Sequence, residues 1–159
     1  MPMLQEMLAE AEIGWADLCA VGVGTGPGNF TGVRISVAAA RGLALGLGVP
    51  AIGVTVFEAM AYGAGRPVTV VVDARRDEIY VQSLGEDGPE PARLTLAQNV
   101  TLQGDVIGLG GAASAYPLAE AIARITATRL ETPQPRPAPF YLRGSDAAAP
   151  SDPPPVILP

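Results

Sequence analysis

Gly24-Thr-Gly-Pro-Gly-Asn-Phe-Thr-Gly-Val-Arg34 follows an apolar run, Cys19-Ala-Val-Gly-Val-Gly24, and leads into a stretch of helical pattern from Gly32 to Leu47. A glycine-rich turn of this kind takes a chain from a strand into a helix. The run before it is apolar on both faces and reads as a central buried strand. Thr31 is the expected N-cap and Gly48 the expected C-cap, with Pro50 just beyond. Ala51-Ile-Gly-Val54 is the next strand. Strand, helix and strand at this spacing predict a parallel βαβ unit with a right-handed crossover.

Upstream, Met3, Leu4, Met7, Leu8 and Ala11 make one apolar stripe, so residues 3–12 are expected to be a helix ended by Gly14. Downstream, Thr55 caps a short helix reaching Tyr62, and Gly63 and Gly65 mark a boundary. Val68 to Asp73 and Glu78 to Leu84 are expected strands joined by a hairpin at Ala74-Arg-Arg-Asp77. A loop over 85–93, a helical turn around Leu94 to Gln98, a strand from Asp105 to Leu109 and a helix from Tyr116 to Ile125 complete this half. The expected organisation is an incomplete first lobe over 1–65, a second lobe over 66–146, and an extended proline-rich tail over 147–159. There is no internal repeat.

Composition removes several chemistries. The 159 residues contain no histidine, and all 10 cationic side chains are arginines. There is thus no Ser-His-Asp triad, no histidine-held metal, no phosphate-loop lysine and no Schiff base. A single cysteine, Cys19, forms no internal disulfide and is expected to be a small buried core residue. The acidic N-terminus lacks the basic region of a secretory signal, and no apolar run approaches the ~20 residues of a membrane helix. A cytoplasmic setting is expected. The net charge of −6 opposes direct nucleic-acid binding by the chain alone.

Three readings of the glycine turn stay open: a phosphate cradle, a tight structural turn, and a docking element together with its helix. Neither G-x-G-x-x-G nor G-x-x-x-x-G-K-[ST] occurs, and Pro27 removes one N–H from the loop. Small residues form rows on the helix, Ala38, Gly42 and Gly46 in one and Gly32, Ser36 and Ala40 in another, which permits close approach of a second helix. Residues 3–12 are a natural partner. Arg34 and Arg41, seven apart, are either solvated or ion-paired at an interface. Asp73, Arg75, Asp77, Glu78 and Tyr80 gather at the hairpin, as a solvated tip or a carboxylate acid–base pair. Trp15 reads as packing, and Arg136 and Arg143 have no readable partner. One oddity remains. The strand at 19–24 expects neighbours on both sides, and the first lobe supplies only Ala51 to Val54.

The run from Gly24 to Gly46 resembles the signature of the TsaB (YeaZ) family, approximately G-x-G-P-G-S-F-T-G-x-R-I-G and then a small-residue helix. Val49 to Thr55, Val72 to Tyr80 and Ala138 to Arg143 resemble three further family segments in order, so the resemblance extends over residues 1–143. Asn29 replaces the usual serine, a mild change because both residues cap and turn well. The resemblance implies an α/β, actin-like ATPase (ASKHA, RNase H-like) two-lobe fold. It also implies a non-catalytic accessory subunit that pairs with a TsaD-type catalytic subunit and a TsaE-type ATPase, for threonylcarbamoyladenosine modification of tRNAs reading codons that start with A. ATP and metal would then sit on the partner subunits, with no cofactor or metal on this chain, no membrane, and tRNA met only through the complex. The implied pairing surface covers residues 3–12 and 32–47: Met3, Leu4, Met7, Leu8 and Ala11, with Arg34, Ala38, Arg41, Gly42 and Leu45. The signature turn comprises Gly24, Gly26, Pro27, Gly28, Asn29, Phe30, Thr31 and Gly32. The alternative is a homodimerising nucleotide-binding or hydrolase-like protein of the same fold.

The family begins with antiparallel strands ahead of the first helix, whereas this sequence starts at that helix. The expectation is therefore a first lobe lacking its N-terminal strands, through a shortened natural form or an incomplete reading frame. An open sheet edge beside residues 19–24 should then favour aggregation or non-native dimerisation.

Overall fold

The computed structural model describes residues 2–100, 102 and 104–143; the expected tail over 147–159 lies outside them. The chain opens with helix α1, Pro2–Glu10, and a single 3-10 turn, Trp15–Asp17. Strand β1, Val21–Gly24, leads through the glycine turn into helix α2, Phe30–Leu47, and on to β2, Ala51–Val54. β1 and β2 pair in parallel, Val21 opposite Ala51 and Gly24 opposite Val54. α2 starts earlier than expected, because Asn29 and not Thr31 is the N-cap: its Oδ1 accepts the Gly32 N–H at 2.8 Å. Gly48 closes the helix at φ 70°, its N–H shared by the Ala44 and Leu45 carbonyls. Thr55 caps the short helix α3, Val56–Met60, in a reciprocal box with Glu58.

The second sheet is built on a hairpin, β3 Val68–Asp73 and β4 Glu78–Gly85. Two short strands, β5 Gly88–Pro89 and β6 Arg93–Leu96, pair with β4, and β7, Asp105–Gly108, runs parallel to β3. The helical turn expected at 94–98 is thus mainly strand: Leu94 and Thr95 pair with Tyr80 and Ile79, and a 3-10 turn follows only at Ala97–Asn99. Pairing across a long loop overrides local preference here. The last helix, α4 Leu118–Thr128, begins two residues later than expected, after Pro117.

Although α4 follows the second sheet in sequence, it packs on the first. A Cβ added at Gly22 would sit 2.3 Å from Thr126 Oγ1 and 3.1 Å from Ile122 Cγ2, so only glycine lets helix and strand approach this closely. On the other face, Val37 and Ala40 of α2 cover Val23. α3 joins the layers. Its Phe57 is fully buried among Val68, Val70, Tyr80, Leu84 and Ile107, while Ala59 packs with Val54, Ala121 and Ile125.

Among the described residues β1 pairs with β2 and with no other strand, so the second neighbour that its apolar faces call for is missing, as the sequence leads one to expect. Its other side meets an apolar groove of about 480 Å³ between α1 and α2. Cys19, expected in the core, precedes the strand and is exposed. α1, a natural partner for the small-residue rows of α2, faces the Ser36 and Ala40 row across the groove and buries no side chain, with Met3 and Met7 exposed and Leu8 half-buried.

Candidate functional site

Two features converge on the first turn of α2. One is the glycine turn itself, which is held by backbone bonds: Thr25 N–H to Val54 O, Val56 N–H to Gly26 O and Phe140 N–H to Thr25 O, at 2.9, 2.8 and 2.8 Å. Gly26 adopts φ 101°, a conformation that favours glycine. Of the free N–H groups at the start of α2 that a phosphate cradle would offer, that of Gly32 is taken by Asn29 Oδ1. The turn is thus stitched to both sheets: to β2, and to the Phe140 segment, which packs on the core of the second sheet.

A cleft of about 460 Å³ separates this turn from the β3–β4 hairpin. Arg75, Arg76 and Asp77 all take positive φ, at 62, 54 and 60°. Such residues cost about 1 kcal/mol each, which the surroundings must offset. Arg75 N–H donates to Asp73 Oδ1 at 2.9 Å, and Arg143 braces the hairpin from outside. Its guanidinium bonds Glu78 and donates to the Ala74 carbonyl at 3.0 Å. Glu78 is therefore ion-paired, and Tyr80 is buried in the core, which leaves the expected carboxylate pair without the free geometry of an acid–base couple.

The second feature is the outer face of α2. Arg34, Ala38, Arg41, Gly42 and Leu45 share it and are all exposed; Ile35 flanks it at 64% exposure, and Leu45 stands at 79%. A Cβ at Gly42 or Gly46 would meet nothing within 4 Å. Arg34 lies 4.0 Å over the Phe30 ring and is held by Tyr141, whereas Arg41 has no carboxylate partner among the described residues. By length and composition alone α2 is apolar enough to cross a membrane, a test that a core helix of a soluble fold also passes. Its inner residues Val37, Ala40 and Ala44 are buried in the fold.

Two partnerships escaped the sequence. Arg129 of α4's C-terminus bonds Glu58 of α3 and donates to the Gly53 carbonyl at 3.2 Å, tying three elements together. Burial pushes the Glu58 carboxyl up, but the Arg129 guanidinium and the Thr55 N–H and hydroxyl outweigh it, leaving the carboxyl below its ordinary value. Tyr141, paired with Phe30 at 4.8 Å between ring centroids, is the other. Partners 71 and 107 residues apart leave no local signal.

This two-sheet α/β arrangement, with the glycine turn and the hairpin facing each other across a cleft, is that of actin-like, RNase H-like proteins. A family model described as "TsaD: tRNA N6-adenosine threonylcarbamoyltransferase" matches residues 1–150. Escherichia coli TsaB, a tRNA threonylcarbamoyladenosine biosynthesis protein, is 44% identical over 85 residues, covering 50% of this chain and 37% of that protein. Haemophilus influenzae TsaB is 39% identical over 85 residues, covering 50% and 36%. The matched region thus spans little more than a third of these relatives. A Pseudomonas aeruginosa structure, described as an uncharacterized protein with similarity to peptidase YEAZ, superposes with a TM-score of 0.69 at 26% identity, covering 89% of this chain and 82% of that one. YeaZ from P. aeruginosa gives 0.70 at 24% identity, which speaks to the fold. The chain belongs to the family of that model, and within it to the TsaB (YeaZ) proteins.

Proposed function

We propose that this chain is a non-catalytic scaffold subunit in threonylcarbamoyladenosine modification of tRNAs reading codons that start with A. It pairs with a TsaD-type catalytic subunit through the outer face of α2, and a TsaE-type ATPase joins the complex. The carrying observation is that face: an 18-residue helix whose outer side exposes Ile35, Ala38, Gly42 and Leu45 with open space above Gly42 and Gly46. Glycine in a helix interior costs about 1 kcal/mol against alanine. No packing among the described residues offsets that cost at Gly42, whereas close approach of a partner helix would.

The tRNA-modification names of the E. coli and H. influenzae relatives support the pathway. A chain of net charge −6 without histidine or lysine fits a subunit that leaves catalysis, ATP, metal and direct tRNA contact to its partners, in the cytoplasm. Reconstitution tests the reading. With tRNA, ATP, a threonylcarbamoyl donor, and the TsaD-type and TsaE-type subunits of the same source, modified nucleoside should form only when this chain is present. Equal product without the chain would contradict the role, and so would turnover by this chain alone.

A further inference from the structure

At the C-terminal end of the same α2 face a further cleft opens, of about 400 Å³. Its apolar lining includes Ala44, Val49 and Pro137, and two exposed arginines, Arg41 and Arg136, stand at it. No acidic residue lines it. Among the described residues the ion pairs are Glu120 with Arg124, Glu58 with Arg129 and Glu78 with Arg143, so neither arginine of the cleft has a carboxylate. Two arginines lining one cleft that holds no carboxylate make its rim cationic, which an anionic group complements. Guanidinium forks suit a carboxylate geometrically.

We propose that this cleft receives an aspartate or glutamate of the subunit that docks on α2, with an apolar neighbour of that residue on the cleft floor. The inference rests on the pairing proposed above and names its chemistry. A protein carboxylate fits better than an RNA phosphate. The cleft is continuous with the exposed apolar stripe through Gly42 and Leu45, and it sits on a chain whose net charge of −6 repels a polyanion. Docking would desolvate the pair, and buried charge pairs at interfaces contribute more than exposed ones.

The test uses the full chain and the purified TsaD-type subunit of the same source, with affinity measured by calorimetry at about 50 and about 300 mM salt. The double variant Arg41→Gln/Arg136→Gln should bind about tenfold or more weakly and lose most of the salt dependence, and Arg41→Glu/Arg136→Glu should bind more weakly still. Unchanged thermal melting would show that both variants fold. Wild-type affinity and salt dependence in the charge-reversed variant, with the wild-type complex intact, would overturn this inference while the pairing stands. Normal subunit binding but impaired tRNA retention by the variant complex would assign the cleft to phosphate and overturn it equally. Absence of any complex with the wild-type chain would remove the pairing reading itself.

Discussion

Arg34 Nε donates a 2.9 Å hydrogen bond to the hydroxyl of Tyr141, which lies 107 residues later in the chain. Arg34 also stacks on Phe30, which pairs with Tyr141, so the first turn of α2 is clamped to the segment that closes the fold. The clamp ties the signature turn and the start of α2 to the Tyr141 segment.

Removing the hydroxyl alone, with Tyr141→Phe, should lower stability by about 0.5–1 kcal/mol, because the hydrogen bond is solvent-accessible. Tyr141→Ala also removes the aromatic pair and the arginine stack, for a loss of roughly 1.5–2.5 kcal/mol. Urea denaturation measures both. Equal losses would show that the ring contributes nothing beyond its hydroxyl.

The Glu58–Arg129 pair should give the fold a dependence on acid pH. The Glu58 carboxyl titrates lower in the folded chain than in the unfolded one, so its stabilisation is fully present above the unfolded value, about pH 4.3. It declines as pH falls below that value, through the folded one. Glu58→Gln should cost about 1–2 kcal/mol at pH 7 and narrow its gap to wild type as pH drops from about 5 to about 3. A constant gap across that range, measured by chemical denaturation, would mean that the ion pair is not the source.

At the β1–α4 contact, the buried Thr126 hydroxyl has no hydrogen-bond partner among the described residues. Thr126→Val should therefore raise stability by about 1 kcal/mol. Gly22→Ala should lower it by roughly 2 kcal/mol or more, since the new methyl group would meet Thr126 Oγ1. Combining Gly22→Ala with Thr126→Ala should restore part of that loss. Additive effects would place the strain elsewhere.

The sequence shows the elements around the glycine turn well, because their signals are local. Gly48 ends α2 through its left-handed conformation, and Thr55 and Glu58 form a capping box within four residues. The β3 strand falls where its valine run predicts. What escapes depends on distant partners. β6 takes its identity from β4, and Cys19 is exposed although it sits in an apolar run. Arg143 and Arg129 find Glu78 and Glu58 only after folding. The α2 stripe was legible as small residues. Its openness was not, because the same pattern serves an internal contact, and α1 instead faces the Ser36 and Ala40 row across a groove.

The most direct measurement is the affinity of Gly42→Phe for the TsaD-type subunit, alongside its thermal stability. A Cβ at Gly42 meets nothing within 4 Å, so the variant should fold as well as wild type or gain a few tenths of a kcal/mol in helix propensity. The added ring should block close approach and weaken the complex by about a hundredfold or more. Wild-type affinity in a folded Gly42→Phe chain would contradict docking through this face of α2.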